Sequence, residues 1–314
     1  DLVWAVLFLL GAVAMRGAGC TWNDITDRDF DASVNRTALR PLPSGAVTLK
    51  QAYIFLGAQL LVGLVVWLVL PLDAKLVALL SVPLVGAYPY MKRVTWWPQA
   101  WLGLTFNWGV LVGAAVASTI SIPVIILYAG LILWTIAYDT IYALQDREDD
   151  ALIGVRSTAR LFGKRAVLIS FCFHLGAAAL IALAAAMNDA GRIGALTALL
   201  FLAHGIWQSV RLKSSREQAA LAVFKSNVWA GALVAFGFAL SAMAPEPKQS
   251  SLFADHEIVP EGPPSTMSLP FGFEMKHSRP SPADPGETWF ASAALRALKR
   301  EGVIGPDADE TPPE

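Results

Sequence analysis

Charge is scarce in this chain. Only 16% of its 314 residues are Asp, Glu, Lys or Arg, where a water-soluble domain carries about 25%, so a soluble globular enzyme is excluded. Lysine plus arginine (24) nearly cancel aspartate plus glutamate (25). The resulting net charge of −1 decides little, since position along the chain matters more than the total, and no nucleic-acid partner is expected. Cysteine is rarer still: Cys20 and Cys172 both fall in apolar stretches and read as small buried residues, not as a disulfide or metal pair. The four histidines do not cluster, with His174 and His204 in apolar runs and His256 and His277 near the C-terminus. A basic n-region with a short apolar core is also missing, so the opening residues read as a spanning helix and not as a signal peptide.

What the chain has instead is hydrophobic length: 55% of residues are apolar and the mean hydropathy is +0.51. Runs of the roughly 20 residues needed to cross a bilayer begin at the N-terminus and recur at Gln51–Leu70, Leu76–Tyr90, Trp101–Ser118, Ile122–Tyr142, Val167–Met187, Ile193–Val210 and Ala220–Met243. The expected fold is all-α, a polytopic transmembrane helical bundle with eight spans over residues 1–243. Residues 244–314 turn to Pro, Ser, Asp and Glu and read as a polar, mostly disordered tail, with helical spacing only at Glu287–Arg300. Loops after the first, third, fifth and seventh spans hold fourteen basic residues, against Lys75 and Arg192 on the other side. By the positive-inside rule the basic loops are cytoplasmic, or face the matrix if the membrane is mitochondrial.

Two acidic stretches lie on that same side. The first, Asn23 to Asp31, reads N-D-I-T-D-R-D-F-D and follows the first apolar run; on a helix Asn23, Asp27 and Asp31 form one stripe, with Asp24 alongside. The second, Asp139 to Asp150, reads D-T-I-Y-A-L-Q-D-R-E-D-D, with Asp146 and Asp150 four apart and Asp139 placed on roughly the same helical face as Asp146. Like charges at a membrane boundary repel and are costly to desolvate, so they call for water or multivalent cations. Oxygen-rich sets at two span ends point to a pair of Mg²⁺ sites facing each other across a cavity and holding an anion such as a diphosphate. A transporter coupling ions through paired carboxylates is the rival from another class, although transporter acids usually sit near the bilayer midplane.

The stretch R-G-A-G-C-T-W-N-D-I-T-D-R-D-F-D, followed by V-N-R-T-A-L-R-P-L-P-S-G, Y-P-Y-M-K-R, Y-D-T-I-Y-A-L-Q-D-R-E-D-D and G-V-R-S-T-A-R-L-F-G, resembles the UbiA family of intramembrane aromatic prenyltransferases. Within that family it is similar to the branch acting on 4-hydroxybenzoate in ubiquinone synthesis. Branches acting on haem, chlorophyllide or menaquinone precursors share the two acid motifs and remain alternatives. The resemblance implies nine helices around a cavity, so that this chain would lack the first.

It also implies the reaction: Mg²⁺-dependent transfer of a polyprenyl group from its diphosphate to the ring carbon ortho to the hydroxyl of 4-hydroxybenzoate. Asn23, Asp27 and Asp31 would hold one metal ion, and Asp146 and Asp150 the other. Arg16, Arg36, Lys92 and Arg93 are candidates to bind diphosphate oxygens, with Tyr88 and Lys92 forming the family's Y-x-x-x-K pattern. Asp27, Asp139 and Asp146 are the expected catalytic acids: a carboxylate that shares the phenolic proton makes the ring a better nucleophile, and Asp139 is the candidate for that task. Arg93 is also the expected partner of the benzoate carboxylate, whereas Arg40, Lys50, Arg211 and Arg216 read as solvated loop charges. Phe106, Trp108, Trp134, Tyr138 and Tyr142 are available to shield an allylic cation, Tyr142 being assigned to the substrate wall. Membrane lipid would surround the bundle and admit the isoprenoid chain.

Overall fold

A computed structural model describes residues 2–32, 37–214 and 216–243, with side chains given outside 214–218. The expectations for Arg36, Arg216 and the polar tail lie outside these descriptions. Among the described residues there are eleven α-helices and one 3₁₀ turn, and no strand. Eight helical segments are long and apolar enough to cross a membrane, matching the eight runs in the sequence. The protein is an integral membrane protein.

Helix α1 (Leu2–Asp31) continues unbroken from the apolar run through the first acidic stretch. At 30 residues it is roughly 45 Å long, against a hydrocarbon core of about 30 Å, so one end reaches past the apolar layer. Its carboxylates therefore sit at the bundle's rim. Helix α2 (Leu49–Val69) opens on a capping box in which Thr48 accepts from the Gln51 amide and Gln51 accepts from the Thr48 amide.

Helix α3 (Leu72–Val94) contains Pro83 and Pro89, which remove two backbone donors. Neighbouring indoles donate to carbonyls along this helix: Trp22 to Gly86 (3.1 Å), Trp101 to Leu84 (2.8 Å) and Trp108 to Val77 (2.8 Å). In hydrocarbon such bonds have no water to compete with them. Several tryptophans that composition alone would place in an interfacial belt are thus staples onto α3.

The fourth span is not one helix. It is split into α4 (Pro98–Phe106) and α5 (Gly109–Ala117). The Asn107 amide at the break donates to Gly103 O (2.8 Å), Leu131 O (3.2 Å) and Thr135 Oγ1 (2.8 Å). A helix break inside a membrane persists only where its polar groups are re-satisfied in this way.

Helix α6 (Ile122–Tyr142) is the most enclosed span, packed against α4 and against α9 (Ala166–Met187). Close approach depends on small residues: a methyl on Gly103 would meet Ile132 at 3.1 Å, and one on Gly130 would meet Leu180 at 3.1 Å. Helices α10 (Gly191–Ser214) and α11 (Arg216–Met243) complete a core around Trp134, Ile181, Phe201 and Val234. Between α6 and α9 lie two short helices, α7 (Arg147–Leu152) and α8 (Thr158–Phe162), and the 3₁₀ turn Gly163–Arg165.

Three expectations change here. Helix α6 ends at Tyr142 and Asp146 is the N-cap of α7, so Asp139 and Asp146 do not share one helical face. Cys20 and Cys172 are free and exposed, not buried. His174 and His204, thirty residues apart, come together with ring centroids 6.1 Å apart.

Candidate active site

The continuous helix α1 places Asn23, Asp27 and Asp31 on one stripe at its terminal end, as their spacing predicts. Asp27 is fully buried, at 0% exposure. A bare carboxylate there would be prohibitively costly, and two cations from the end of α3 compensate it. The Lys92 ammonium donates to Asp27 Oδ2, and Arg93 Nη2 lies 3.3 Å from Oδ1. Arg93 also donates to the Thr26 carbonyl (3.0 Å) and stacks 4.6 Å over the Phe30 ring, which fixes its plane. Asp31 accepts from Arg40 Nη1 at 2.8 Å, and the same nitrogen lies 3.1 Å from Asp24. Arg40 is therefore part of this charge lattice and not the solvated loop residue its position in the sequence implies.

Lys92 also connects the two acidic stretches. While its side chain holds Asp27, its carbonyl accepts the Arg156 amide at 2.9 Å, and Arg156 Nη1 donates to Val94 O at 2.6 Å. The loop carrying Asp146 and Asp150 is thereby fastened to the helix end that neutralises Asp27. Arg160 donates to Asp150 O (3.1 Å) and to Val155 O, and the Thr158 amide donates to the buried Gln99 side chain (3.1 Å). Asp150 N donates to Asp146 O at 2.8 Å, so the two acids keep their one-turn relation, and both side chains are half-buried.

A second layer lies deeper along α1. Arg16 stacks 4.6 Å over Phe106, the last residue before the break in the fourth span, and its Nη1 contacts Cys20 Sγ at 2.7 Å. Arg16 is also the charge that acts on Asp139, and Tyr88 feels Asp139, Arg16 and Asp27 together. Among the described residues the Asp139 carboxylate makes no hydrogen bond or ion pair, and it keeps part of its surface open. Tyr138 sits beside it, edge-on to Trp134 at 5.3 Å, and Tyr142 packs on Phe224 at 4.5 Å. The fold thus gathers Arg16, Tyr88 and Asp139 in one place, and Asp27, Lys92 and Arg93 in another closer to the rim.

Every acidic and amide donor expected to hold a metal is an oxygen ligand, the hard donor type suited to Mg²⁺. Among the described residues no three His, Cys, Asp or Glu side chains form a ready cage. Mg²⁺ does not require one, since it usually takes one or two carboxylates together with substrate phosphates and water. The donor set fits the ion.

The family model for UbiA prenyltransferases matches residues 1–231. This chain belongs to the UbiA prenyltransferase family. It is 43% identical over 241 residues to the mitochondrial 4-hydroxybenzoate polyprenyltransferase of Arabidopsis thaliana, an alignment covering 76% of this UbiA chain and 59% of the relative. With the Lithospermum erythrorhizon 4-hydroxybenzoate geranyltransferase 2 it shares 40% identity over 240 residues, covering 74% and 77% of the two chains. The chain spans about three-fifths of the Arabidopsis relative and 42% of its Rattus norvegicus counterpart. Among solved structures, an apo UbiA homologue from Aeropyrum pernix K1 superposes with a TM-score of 0.69 at 28% identity, covering 77% of this chain and 90% of that one. The fold is also that of an Archaeoglobus fulgidus UbiA homologue bound to GPP and Mg²⁺, with a TM-score of 0.59 at 20% identity, covering 77% and 89%.

Proposed function

We propose that this UbiA chain transfers a polyprenyl group from polyprenyl diphosphate to the ring carbon ortho to the hydroxyl of 4-hydroxybenzoate, in a Mg²⁺-dependent reaction of ubiquinone synthesis. The supporting observation is the two-layer arrangement: a buried Asp27 paired with the partly exposed Lys92 and Arg93 at the rim, and behind it Asp139, a half-buried carboxylate without a hydrogen bond among the described residues, with Arg16 as its neighbouring charge. The outer layer has the charges for a metal-bound diphosphate. The inner layer has the charges for a hydroxybenzoate, with Arg16 for the acceptor's carboxylate and Asp139 for its hydroxyl.

In this reading Lys92 and Arg93 bind diphosphate oxygens, Tyr88 stands with Arg16 in the inner layer, and Arg16 takes the acceptor role expected of Arg93 from sequence. Asn23, Asp27, Asp31, Asp146 and Asp150 are the residues that would hold Mg²⁺, which when bound offsets charge gathering on the leaving diphosphate. The allylic C–O bond breaks with its electron pair going to the diphosphate, and the ortho ring carbon supplies the pair for the new C–C bond. Asp139 draws the phenolic proton toward itself as the ring donates, and the ortho proton passes to the released diphosphate, which restores aromaticity. Tyr138 beside Asp139 and Phe106 under Arg16 offer π faces that tolerate positive charge and exclude water.

The membrane is the bacterial inner membrane or the mitochondrial inner membrane, with the outer layer of the site facing the cytoplasm or matrix. The test is product formation from 4-hydroxybenzoate and geranyl diphosphate with and without Mg²⁺, for the parent protein, Asp139→Asn and Asp146→Asn. Turnover that needs Mg²⁺ and falls at least about a hundredfold in each variant is expected; full activity in Asp139→Asn would remove the acceptor assignment.

A further inference from the structure

A groove of about 370 Å³ runs between α9 and α10, lined by none of the residues assigned to the site above. Its walls are Leu168, Phe171, Ile206 and Val210, and Lys164 and Lys213 stand at one end. Leu168 (62%), Ile206 (48%) and Val210 (63%) are exposed although they lie on membrane-spanning helices. Lys164 belongs to the turn that leads into α9 and Lys213 to the last turn of α10, so both ammonium groups sit at the same membrane boundary. Among the described residues neither lysine makes an ion pair. The adjoining hollow shares Lys164 and adds Arg147 and Arg160, with Glu148 as its acid, so the surroundings stay basic.

We propose that this groove is a binding site for an anionic glycerophospholipid of the surrounding bilayer. The phosphate sits between Lys164 and Lys213, and an acyl chain runs down the wall formed by Phe171 and Ile206. Seven residues separate Lys164 from Phe171, and seven separate Ile206 from Lys213, so the apolar wall reaches roughly 10 Å below the charges, two turns into the hydrocarbon. Basic pockets between spanning helices at a membrane boundary recognise phosphate headgroups in this way. A zwitterionic choline lipid brings its own cation against the two lysines and gains less. A soluble anion gains nothing from the apolar wall. The proposal does not rest on the prenyl-transfer reading, and its readout needs no turnover.

The test titrates the full chain in detergent with dioleoylphosphatidylglycerol or dioleoylphosphatidylcholine and counts bound lipid by native mass spectrometry, with thermal unfolding run alongside. Saturable phosphatidylglycerol binding, tighter than phosphatidylcholine, is expected. A basic residue near the surface contributes about a fivefold factor, so Lys164→Gln with Lys213→Gln weakens phosphatidylglycerol binding roughly 30-fold. Phosphatidylcholine binding is unchanged in that variant, and the double arginine variant binds as the parent does. Lys75→Gln, at the opposite boundary, has no effect. Val210→Trp fills the groove while sparing both lysines and also loses the lipid, which covers the case of a double variant that does not fold. Equal affinity for the two lipids, or undiminished phosphatidylglycerol binding in either groove variant, overturns the proposal. So does displacement of the lipid by geranyl diphosphate, which would make the groove a substrate site.

Discussion

Asp27 shows at the scale of one residue how this site is built. Its spacing from Asn23 and Asp31 was readable as a helical stripe, but its complete burial between Lys92 and Arg93 was not, because those partners lie 65 and 66 residues away. Replacing it by Asn leaves two cations facing a neutral amide. Since Lys92 and Arg93 keep 25% and 36% exposure, water recovers part of the loss, and destabilisation of about 1–3 kcal/mol is expected. Asp27→Asn should therefore lose both turnover and several degrees of melting temperature. Asp146→Asn, at a half-buried position, should lose turnover with a smaller thermal shift. Equal shifts in the two proteins, measured by calorimetry, would contradict this ranking. Arg40 escaped the sequence reading for a related reason: a loop arginine is usually solvated, and only the fold shows one guanidinium nitrogen serving Asp24 and Asp31. Arg16 offers a second residue-scale prediction. Its planar guanidinium lies over the Phe106 ring at 4.6 Å and can pair bidentately with a carboxylate, which a point-charge ammonium cannot do, so Arg16→Lys should raise KM for 4-hydroxybenzoate by about tenfold or more while leaving KM for geranyl diphosphate within about twofold. An equal rise in both constants would return Arg16 to the diphosphate.

Among the elements, apolar length gave all eight spans because crossing a bilayer leaves a signature in each segment by itself. The break at Asn107 and Trp108 left none. It is made possible by acceptors on α6, 24 and 28 residues further along, and nothing local marks it. The polar seam joining α6, α10 and α11 was equally invisible. Trp134 Nε1 donates to Asn227 Oδ1 at 2.9 Å, Gln208 Nε2 donates to the same oxygen at 3.1 Å, and His204 Nε2 meets Ser226 Oγ at 2.9 Å. His174 lies against this seam, and its ring occupies space that only a glycine at position 205 leaves open: a methyl there would fall 2.1 Å from His174 Cδ2. Two substitutions separate bonding from packing. Asn227→Leu strands the Trp134 donor and takes one of the acceptors of Gln208, which keeps Ser226 Oγ at 3.4 Å, and should cost about 1–3 kcal/mol. Gly205→Ala leaves the seam's bonds intact but forces the histidine aside, at about 1–3 kcal/mol by overpacking. If the seam is a unit, combining them should cost less than the sum of the two measured unfolding free energies; strict additivity would mean that His174 packs independently of it.

For the molecule as a whole, the two acidic stretches are read together only because α3 ends where both meet, with the Lys92 side chain on Asp27 and its carbonyl on the loop that carries Asp146 and Asp150. If the site holds Mg²⁺ and diphosphate as proposed, that shared residue would make their binding interdependent. Mg²⁺ alone would have to compete with Lys92 and Arg93 for Asp27, and diphosphate alone would meet the carboxylates. Together, the anion would draw the two basic side chains while the cation took the acid, so each would remove the other's obstacle. Mg²⁺ alone should therefore raise the melting temperature only slightly. Mg²⁺ with pyrophosphate at about a hundredfold excess over Kd should stabilise by about 2.7 kcal/mol, and EDTA should abolish the gain. Lys92→Gln distinguishes this from ordinary additive binding, because the two ligands then move in opposite directions. With one competitor gone, Mg²⁺ alone should bind Asp27 more tightly than in the parent, while pyrophosphate in the presence of Mg²⁺ should bind more weakly for want of a cation. A titration in which Lys92→Gln weakens Mg²⁺ binding by itself would show that Lys92 does not compete for Asp27, and the coupling would have to be sought elsewhere.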